Sequence, residues 1–574
     1  MKRKLIASLL MVAASFASTV NAQIEETATD AVKNMGIGWN LGNTLDASSS
    51  SVGNPSLPAY WGGQGINSEN YWGQPTTKPE LFKMMKEAGY GAIRVPVTWY
   101  NHMDVDGNVK AEWMKRVHEV VDYVVNEGLY CIINVHHDTG ADSGNHQSWI
   151  KADDYTKNKE RYEKLWKQIA EEFKDYGKLL LFESYNEMLD SKSSWCFASF
   201  NTANKYDATL AKNSYDGING YAQSFVDVVR ATGGNNASRN LIVNTYAAAN
   251  GYGTWSTHLK DVVTQMKMPA DIVEGHIAFE VHDYPNLTNN GNNRSLTDIK
   301  SQIDGTIKVL KDNLVAKGGP VIIGEWGTSN VDAGNGKTDY DVRRSLMLQF
   351  VEYYVKQCKA NGIAPFYWMG LTDGQYRSMP VFNQPDLAET MSKAYHGSSF
   401  AGKFPEMEPQ TEYVVFEGEK AITGWNVNVS VAKESFAGVG KDAQLEITYK
   451  QEGGGDDIQL FYGDWSSKPS FKVDGKTYNG DLNPGKHYGT PVGTEHTSVL
   501  TFDEATYKNL CSKGLIVFGD GWRMYKMKLT NPTTGISSVK VPVQDDAYYT
   551  LSGQRVLSPT RGIYIKGGKK VLIR

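Results

Sequence analysis

Four cysteines in 574 residues, Cys131, Cys196, Cys358 and Cys511, are too sparse for a disulfide framework, and no two have the Cys-x-x-Cys spacing of a redox or metal motif. The fold must therefore be held by its core, and Cys131, inside a strand-like run, reads as one of its buried residues. Beyond residue 22 no apolar run is long enough to cross a bilayer, so no membrane span is expected. The chain also lacks a basic patch or Lys/Arg run and carries a net charge of −5, which argues against a nucleic-acid partner. No Gly-rich phosphate loop follows the first strand-like run, which excludes the doubly wound nucleotide-binding fold.

Aromatic residues are abundant: 14 Trp and 32 Tyr exceed what packing needs, and such rings are surfaces on which pyranose sugars stack. An apolar share of 40% is ordinary for a chain with a real core. Residues 1–22 have the layout of a secretory signal peptide. Lys2, Arg3 and Lys4 precede an apolar stretch, Leu5–Phe16, and Val20 and Ala22 fit a small-residue cleavage site. The mature chain is expected to start at Gln23, with a net charge of −8 once those three basic residues leave the −5 total. No Cys follows the apolar stretch, so a lipoprotein form is not expected.

From residue 23 to 400 strand-like and helical runs alternate. Strands are predicted at 37–41, 92–97, 130–135, 179–183, 241–244, 277–281, 321–323 and 363–367. Apolar spacing predicts helices at 78–88, 113–126, 158–175, 221–231, 296–316 and 342–360. Eight such strands imply an α/β fold, a closed (β/α)8 (TIM) barrel. Residues 401–411, with Pro405 and Pro409, read as a linker. Residues 412–531 change to short alternating runs separated by Gly, Asp and Asn, the pattern of a β-sandwich. Residues 532–574 read as a short β-rich tail. A monomer is expected.

In a barrel, catalytic groups stand at the C-terminal ends of strands. Here those ends are polar one after another: Arg94; His136, His137 and Asp138; Asn186 and Glu187; Tyr246; His282 and Tyr284; Glu325 and Trp326; Trp368. Cleaving a glycosidic bond needs one carboxyl group to protonate the leaving oxygen and a second on the other side of the anomeric carbon. Glu187 and Glu325 come from opposite sides of the barrel and can converge. Arg94 and Tyr284 can hold the nucleophile, Asn186 can bond the sugar 2-hydroxyl, and Trp368 offers a flat face. The pair His136–His137 invites a metal reading. Adjacent residues of a strand face opposite ways, however, and no third ligand is spaced for the role, so neither metal nor cofactor is expected.

The segments Gly36-Ile37-Gly38-Trp39-Asn40-Leu41-Gly42-Asn43-Thr44, Ile93-Arg94-Val95-Pro96-Val97, Ile133-Asn134-Val135-His136-His137-Asp138, Phe182-Glu183-Ser184-Tyr185-Asn186-Glu187 and Ile323-Gly324-Glu325-Trp326-Gly327 together make residues 35–396 resemble the catalytic domain of glycoside hydrolase family 5, in its endoglucanase and xyloglucanase branch. The resemblance implies a retaining hydrolase of a β-1,4-linked plant polysaccharide: cellulose, mixed-linkage glucan or xyloglucan, with mannan or xylan as alternatives. It assigns Glu187 as acid/base and Glu325 as nucleophile. Arg94, His136, Asn186, His282, Tyr284 and Trp368 match the family's other active-site positions, and Asn40 and His137 are further candidate supporting residues. Two positions depart from the family pattern: Met188 stands where Pro is usual, and Glu280 and Pro285 flank the His282-Asp283-Tyr284 motif. A non-catalytic polysaccharide-binding protein is the competing class, and the presence of both carboxylates disfavours it.

The insert 48–71, with Tyr60, Trp61, Tyr71 and, just after it, Trp72, is a candidate sugar-stacking wall. The region 412–531 is similar to carbohydrate-binding modules, with Trp425, Tyr462, Trp465, Trp522 and Tyr525 as candidate platforms. Residues 549–556 and 562–565 resemble the sorting tails of secreted Bacteroidetes proteins. Secretion machinery is thus an expected partner, and a secreted or cell-surface location in a Gram-negative bacterium the expected one.

Overall fold

The structure, a computed structural model, describes residues 24–48, 65–141, 148–200, 205–331, 337–407, 412–424, 427–453, 457–482, 492–531, 548–549, 555–556, 562–566 and 569–573. The proposed signal peptide, Tyr60, Trp61 and Trp425 lie outside them. The chain divides into two compact units, Met1–Met407 and Glu408–Arg574.

In the first unit eight parallel strands close a barrel: β1 (Gly38–Asn40), β2 (Ala92–Val95), β3 (Tyr130–Asn134), β4 (Leu180–Glu183), β5 (Leu241–Ala249), β6 (Ile277–Asp283), β7 (Val321–Trp326) and β8 (Ala364–Tyr367). Helix α1 (Ala28–Met35) precedes them. Around them run α2 (Glu80–Glu87), α3 (Ala111–Asn126), α4 (Tyr155–Glu172), α5 (Ala208–Ala231), α6 (Asp261–Thr264), α7 (Leu296–Asn313), α8 (Asp339–Ala360) and α9 (Pro385–His396).

The two-residue period of the strands sorts side chains into layers. Ala92, Ile132, Leu181, Ile242, Ala278, Ile322 and Ala364 form an inner apolar layer, on which Ala28, Ala31, Val32 and Met35 of α1 pack to close the N-terminal end. Two residues further along the same strands stand Arg94, Asn134, Glu183, Asn244, Glu280 and Gly324, joined by Asn40 of β1, all buried. The barrel thus has an apolar floor and a polar layer directly above it, and this change of chemistry positions the site.

Several elements run beyond their predicted bounds, among them β7, which continues to Trp326, and three of the extensions bear on the packing and the site. Helix α5 begins at Ala208, capped by Asp207, whose side chain accepts from the Thr209 and Leu210 amides. The part before its predicted start at residue 221 carries Gly217 and Gly220, which resemble loop residues in sequence. In space they let the helix approach closely, because a Cβ at Gly217 would strike the Ala152 carbonyl and one at Gly220 the Tyr155 ring. Strand β5 continues to Ala249 through a bulge between Asn244 and Ala249, where Ala247 (φ 55°) and Ala248 (φ 49°) adopt left-handed conformations. Strand β6 extends through His282 and Asp283, with an irregularity after Val281 that sets His282 beside Glu325 of β7. Residues 401–407 run against the barrel: the Lys403 amide donates to the Glu87 carbonyl, and Phe404 packs on Phe382.

The second unit is antiparallel: β9 (Glu412–Thr423), β10 (Val429–Val431), β11 (Gln444–Gln451), β12 (Asp457–Tyr462), β13 (Ser470–Val473), β14 (Lys476–Asn479), β15 (Glu495–Thr501) and β16 (Leu515–Thr530). The first half of β16 pairs with β10 and β12, and its second half with β9 and β11, so one long strand joins two groups of strands around a shared core. Tyr462 and Trp522 belong to that core, 6% and 1% exposed, which removes them as sugar platforms. The alternation that makes a strand legible puts them on its inner face. Trp465 is 42% exposed and Tyr525 is half-buried. Four short strands, β17 (Tyr548–Tyr549), β18 (Arg555–Val556), β19 (Gly562–Lys566) and β20 (Lys569–Ile573), form a separate antiparallel sheet.

Candidate active site

Arg94 is the hub. Its guanidinium, fully buried on β2, donates from Nε and Nη2 to both oxygens of Glu183 (2.7 and 2.8 Å), from Nη2 to Asn186 Oδ1 (2.8 Å), and from Nη1 to Asn40 Oδ1 (3.0 Å) and Glu325 Oε1 (2.8 Å). Such a charge is stable in a barrel interior only when paired and hydrogen-bonded. Asn40 is fixed in turn, because its amide donates to the carbonyls of Gly324, Phe366 and Tyr367.

Three carboxyl groups surround that one cation. Burial opposes the charge of Glu183, but Arg94 outweighs it, and Asn134 donates to Oε1 at 2.9 Å, so its pKa lies below the ordinary carboxylate range. Glu280 sits 3.5 Å from Arg94 Nε, and there the balance reverses. Burial and the negative charge of Glu183 push it up to about 8. Its Oε2 is buried with no hydrogen-bond donor among the described residues. Gly324 makes room for it, since a Cβ there would collide with the Glu280 carboxyl.

Glu325, 5% exposed at the end of β7, accepts from Arg94 on Oε1 and from the Tyr284 hydroxyl on Oε2 (2.7 Å). Glu187 faces it across the mouth. One oxygen of each carboxyl and a nitrogen of His282 all lie within 4.8 Å of one another. His282 Nδ1 is 2.9 Å from Glu187 Oε1 and 3.5 Å from Glu325 Oε2, and Nε2 is 3.3 Å from Glu280 Oε1. Burial works against a charged imidazole, but the Glu325, Glu187 and Glu280 carboxyls outweigh it and raise His282 to about 10.

On the other side of Glu325, His136 Nε2 stands 3.9 Å from Oε1, and the Trp368 indole lies parallel to the His136 ring at 6.2 Å. Gly42 leaves space for that indole. His137 meets Trp72, the residue just after the insert 48–71, at 5.3 Å. The strand rule that sets adjacent histidines on opposite faces does not reach this pair. Strand β3 ends at Asn134, and the two rings lie 4.5 Å apart, with Asp46 from the loop after β1 as a third group within 4.8 Å of both. The spacing argument therefore does not apply here, because the loop after β1 brings a carboxylate to the two rings.

The structure thus brings all ten sequence candidates to one face. It adds Glu183, Glu280, Asn134 and Asn244, whose signal is a polar residue directly after a short apolar run, as in Leu180-Leu181-Phe182-Glu183 and Ile277-Ala278-Phe279-Glu280. It also adds Asp138, which accepts from the Trp99 and Tyr100 amides and the Trp149 indole and is pushed up to about 6 by burial.

Comparison with known proteins identifies the family. The sequence model of the cellulase family, glycosyl hydrolase family 5, matches residues 48–372. Endoglucanase A of Paenibacillus barcinonensis is 31% identical over 66% of this chain and 92% of its own. A xyloglucan-specific endo-β-1,4-glucanase of Bacteroides ovatus, BoGH5A, is 33% identical over 58% of this chain and 63% of its own. Among solved structures, a broad-specificity GH5-4 endoglucanase from an uncultured bacterium is 60% identical, covering 65% of this chain and 97% of its own with a TM-score of 0.60. PbGH5A of Prevotella bryantii B14, solved with a xyloglucan tetradecasaccharide, is 39% identical over 65% of this chain and 100% of its own, with a TM-score of 0.56.

Proposed function

The chain belongs to glycoside hydrolase family 5 and is an endoglucanase-like glycoside hydrolase, and from that premise we propose that it is a secreted, retaining endo-β-1,4-glucanase with Glu325 as nucleophile and Glu187 as general acid/base. The observation that carries this reading is the separation of the two carboxyls. Retaining glycosidases hold them about 5–5.5 Å apart and inverting ones about 6.5–9.5 Å, and an oxygen of Glu187 lies within 4.8 Å of one of Glu325.

In the first step the Glu325 carboxylate attacks the anomeric carbon while Glu187 gives its proton to the departing glycosidic oxygen. The C–O bond breaks, the shortened chain leaves, and a glycosyl ester of Glu325 remains. In the second step Glu187 takes a proton from water, whose oxygen attacks the same carbon from the opposite side and frees Glu325. Arg94 and Tyr284 hold both Glu325 oxygens, which fixes the attacking carboxylate and supports it again as a leaving group. The 2.9 Å contact between His282 Nδ1 and Glu187 Oε1 fixes the orientation of the Glu187 carboxyl.

Relatives named for endoglucanase and xyloglucanase activity support a β-1,4-glucan backbone as substrate, plain, mixed-linkage or xylose-branched. The second unit is proposed to bind the same polymer at Trp465, whose exposed ring rests on Phe518 and Phe461 at 5.2 and 5.8 Å. Residues 1–22 are proposed to direct secretion, and the tail beyond residue 531 to engage export or surface attachment.

The test is reducing-end release from carboxymethylcellulose, mixed-linkage glucan, xyloglucan, glucomannan and xylan, with the anomeric configuration of new ends followed by NMR. Retained β-configuration on glucans, lost in Glu187→Ala and Glu325→Ala, is expected. Activity persisting in Glu325→Ala, or α-configured products, would overturn the assignment.

A further inference from the structure

The barrel closes where its first strand meets its last. Strands β1 and β8 pair at Gly38–Phe366 and Trp39–Tyr367, and the loops that leave them meet above this short seam. Trp368 follows β8, and Gly42 follows β1. The indole lies so close to Gly42 that a Cβ there would stand 2.9 Å from it. The flat face of Trp368 is therefore built across the seam, and its place depends on how the two loops are held together.

Arg377, on the loop after β8, spans the gap. Its Nη1 donates to the Gly42 carbonyl (2.9 Å) and to Thr44 Oγ1 (2.7 Å), and its Nε donates to the Thr372 carbonyl of its own loop (3.0 Å). The guanidinium also lies over the Trp39 ring at 5.0 Å. A planar fork lets one side chain bond both loops at once. Gln74, further along the loop after β1, adds a second tie: its Nε2 donates to Asp373, and its Oε1 accepts from the Gly374 amide at 3.1 Å.

For stability alone Arg377 is a poor choice. It is 4% exposed, and its Nη2 has no partner among the described residues. Burial lowers its pKa to about 10, and the charges of Asp373 and Asp46 offset only part of this. A buried cation bonded to neutral acceptors costs free energy that an apolar side chain of similar volume would not. What the fork supplies instead is a fixed geometry between two loops.

We infer that Arg377 is a positioning residue for substrate binding: it clasps the loops after β1 and β8 so that the Trp368 indole is already in place for a sugar ring of the glucan. Such preorganisation strengthens binding more than it changes the chemical step. Glu325 takes its bonds from Arg94 and Tyr284, which this clasp does not touch. The inference rests on the proposed glucanase function and on Trp368 facing the sugar.

Calorimetry of cellotetraose binding to the Glu325→Gln chain, which lacks the nucleophile, reads the clasp without turnover. Adding Arg377→Met is expected to weaken binding about three- to tenfold, and Arg377→Lys, a point charge in place of a fork, to weaken it less. In the active chain Arg377→Met should raise KM by a similar factor and change kcat by less than about twofold. Urea unfolding of the barrel should shift little, because the lost hydrogen bonds are set against removal of a buried cation. A double substitution reads the link to Trp368: once Trp368→Ala has removed the ring, Arg377→Met should cost little further affinity. Equal losses with and without the Trp368 ring, a kcat that falls as far as KM rises, unchanged binding, or a collapse of stability in Arg377→Met overturns the inference while the proposed function stands. If the Glu325→Gln chain binds no cellotetraose and the unsubstituted enzyme cleaves no β-1,4-glucan, the proposed function falls and this inference with it.

Discussion

Replacing Glu280 by Gln tests the electrostatics of the barrel interior. In the folded chain burial and Glu183 push Glu280 up to about 8, against an ordinary value of 4.5. A raised carboxyl stabilises the fold while protonated, fully so below about pH 4.5. The contribution is lost as pH rises toward 8, because the unfolded chain releases that proton first. At about 1.4 kcal/mol per pH unit the loss across this window is on the order of 5 kcal/mol. Gln keeps the shape and a donor hydrogen but cannot ionise. The variant should match the parent near pH 5 and exceed it increasingly up to pH 8, with glucanase activity retained at neutral pH. Calorimetry of the full chain at pH 5, 6, 7 and 8 reads this as a widening gap between the barrel transitions of the two proteins. A constant gap would refute the reasoning, since Glu280 would then be ionised throughout and Arg94 would be neutralising more than Glu183.

Glu183→Gln removes the charge that meets Arg94 with both oxygens and should destabilise the barrel by about 3–5 kcal/mol in denaturant unfolding, as expected for breaking a buried pair. Tyr284→Phe deletes the 2.7 Å bond to Glu325 and should lower kcat by about 10- to 100-fold, within the 1.5–3 kcal/mol of hydrogen bonds to charged groups, with KM little changed. Gly324→Ala should cost about 3 kcal/mol or prevent soluble expression, because the added methyl occupies the space of the Glu280 carboxyl. His282→Gln should flatten the loss of stability with pH above about 6.5: a histidine raised to about 10 supports the fold below its unfolded value and ceases to as pH passes 10.

The barrel is legible in the sequence because its eight strands are short apolar runs and most of its helices have regular apolar spacing. Where the reading stops short, tertiary packing explains it. Gly217 and Gly220 make the part of α5 before residue 221 look like a loop, and only the nearness of Ala152 and Tyr155 shows why a helix needs them. The extension of β5 depends on Ala247 and Ala248 in a conformation that alanine rarely adopts, which no local pattern announces. The ten site candidates converge because strand ends of a barrel must. Glu183 and Glu280 are less legible: a glutamate after an apolar run reads equally as an exposed strand end, and only the fold sets both against the buried Arg94. His136 and His137 show the opposite case. The alternation of a strand does not extend to residues two and three positions past its end at Asn134.

The most direct test of the account is to trap the glycosyl enzyme. An activated 2-deoxy-2-fluoro-β-cellobioside slows both steps but the second more, so the ester accumulates, and peptide mass spectrometry locates it. The expected result is one cellobiosyl unit on the peptide that carries Glu325, still formed from this activated substrate in Glu187→Ala and absent in Glu325→Gln. A label on Glu187, or steady turnover with inverted products and no label, would contradict the assignment of the two carboxylates.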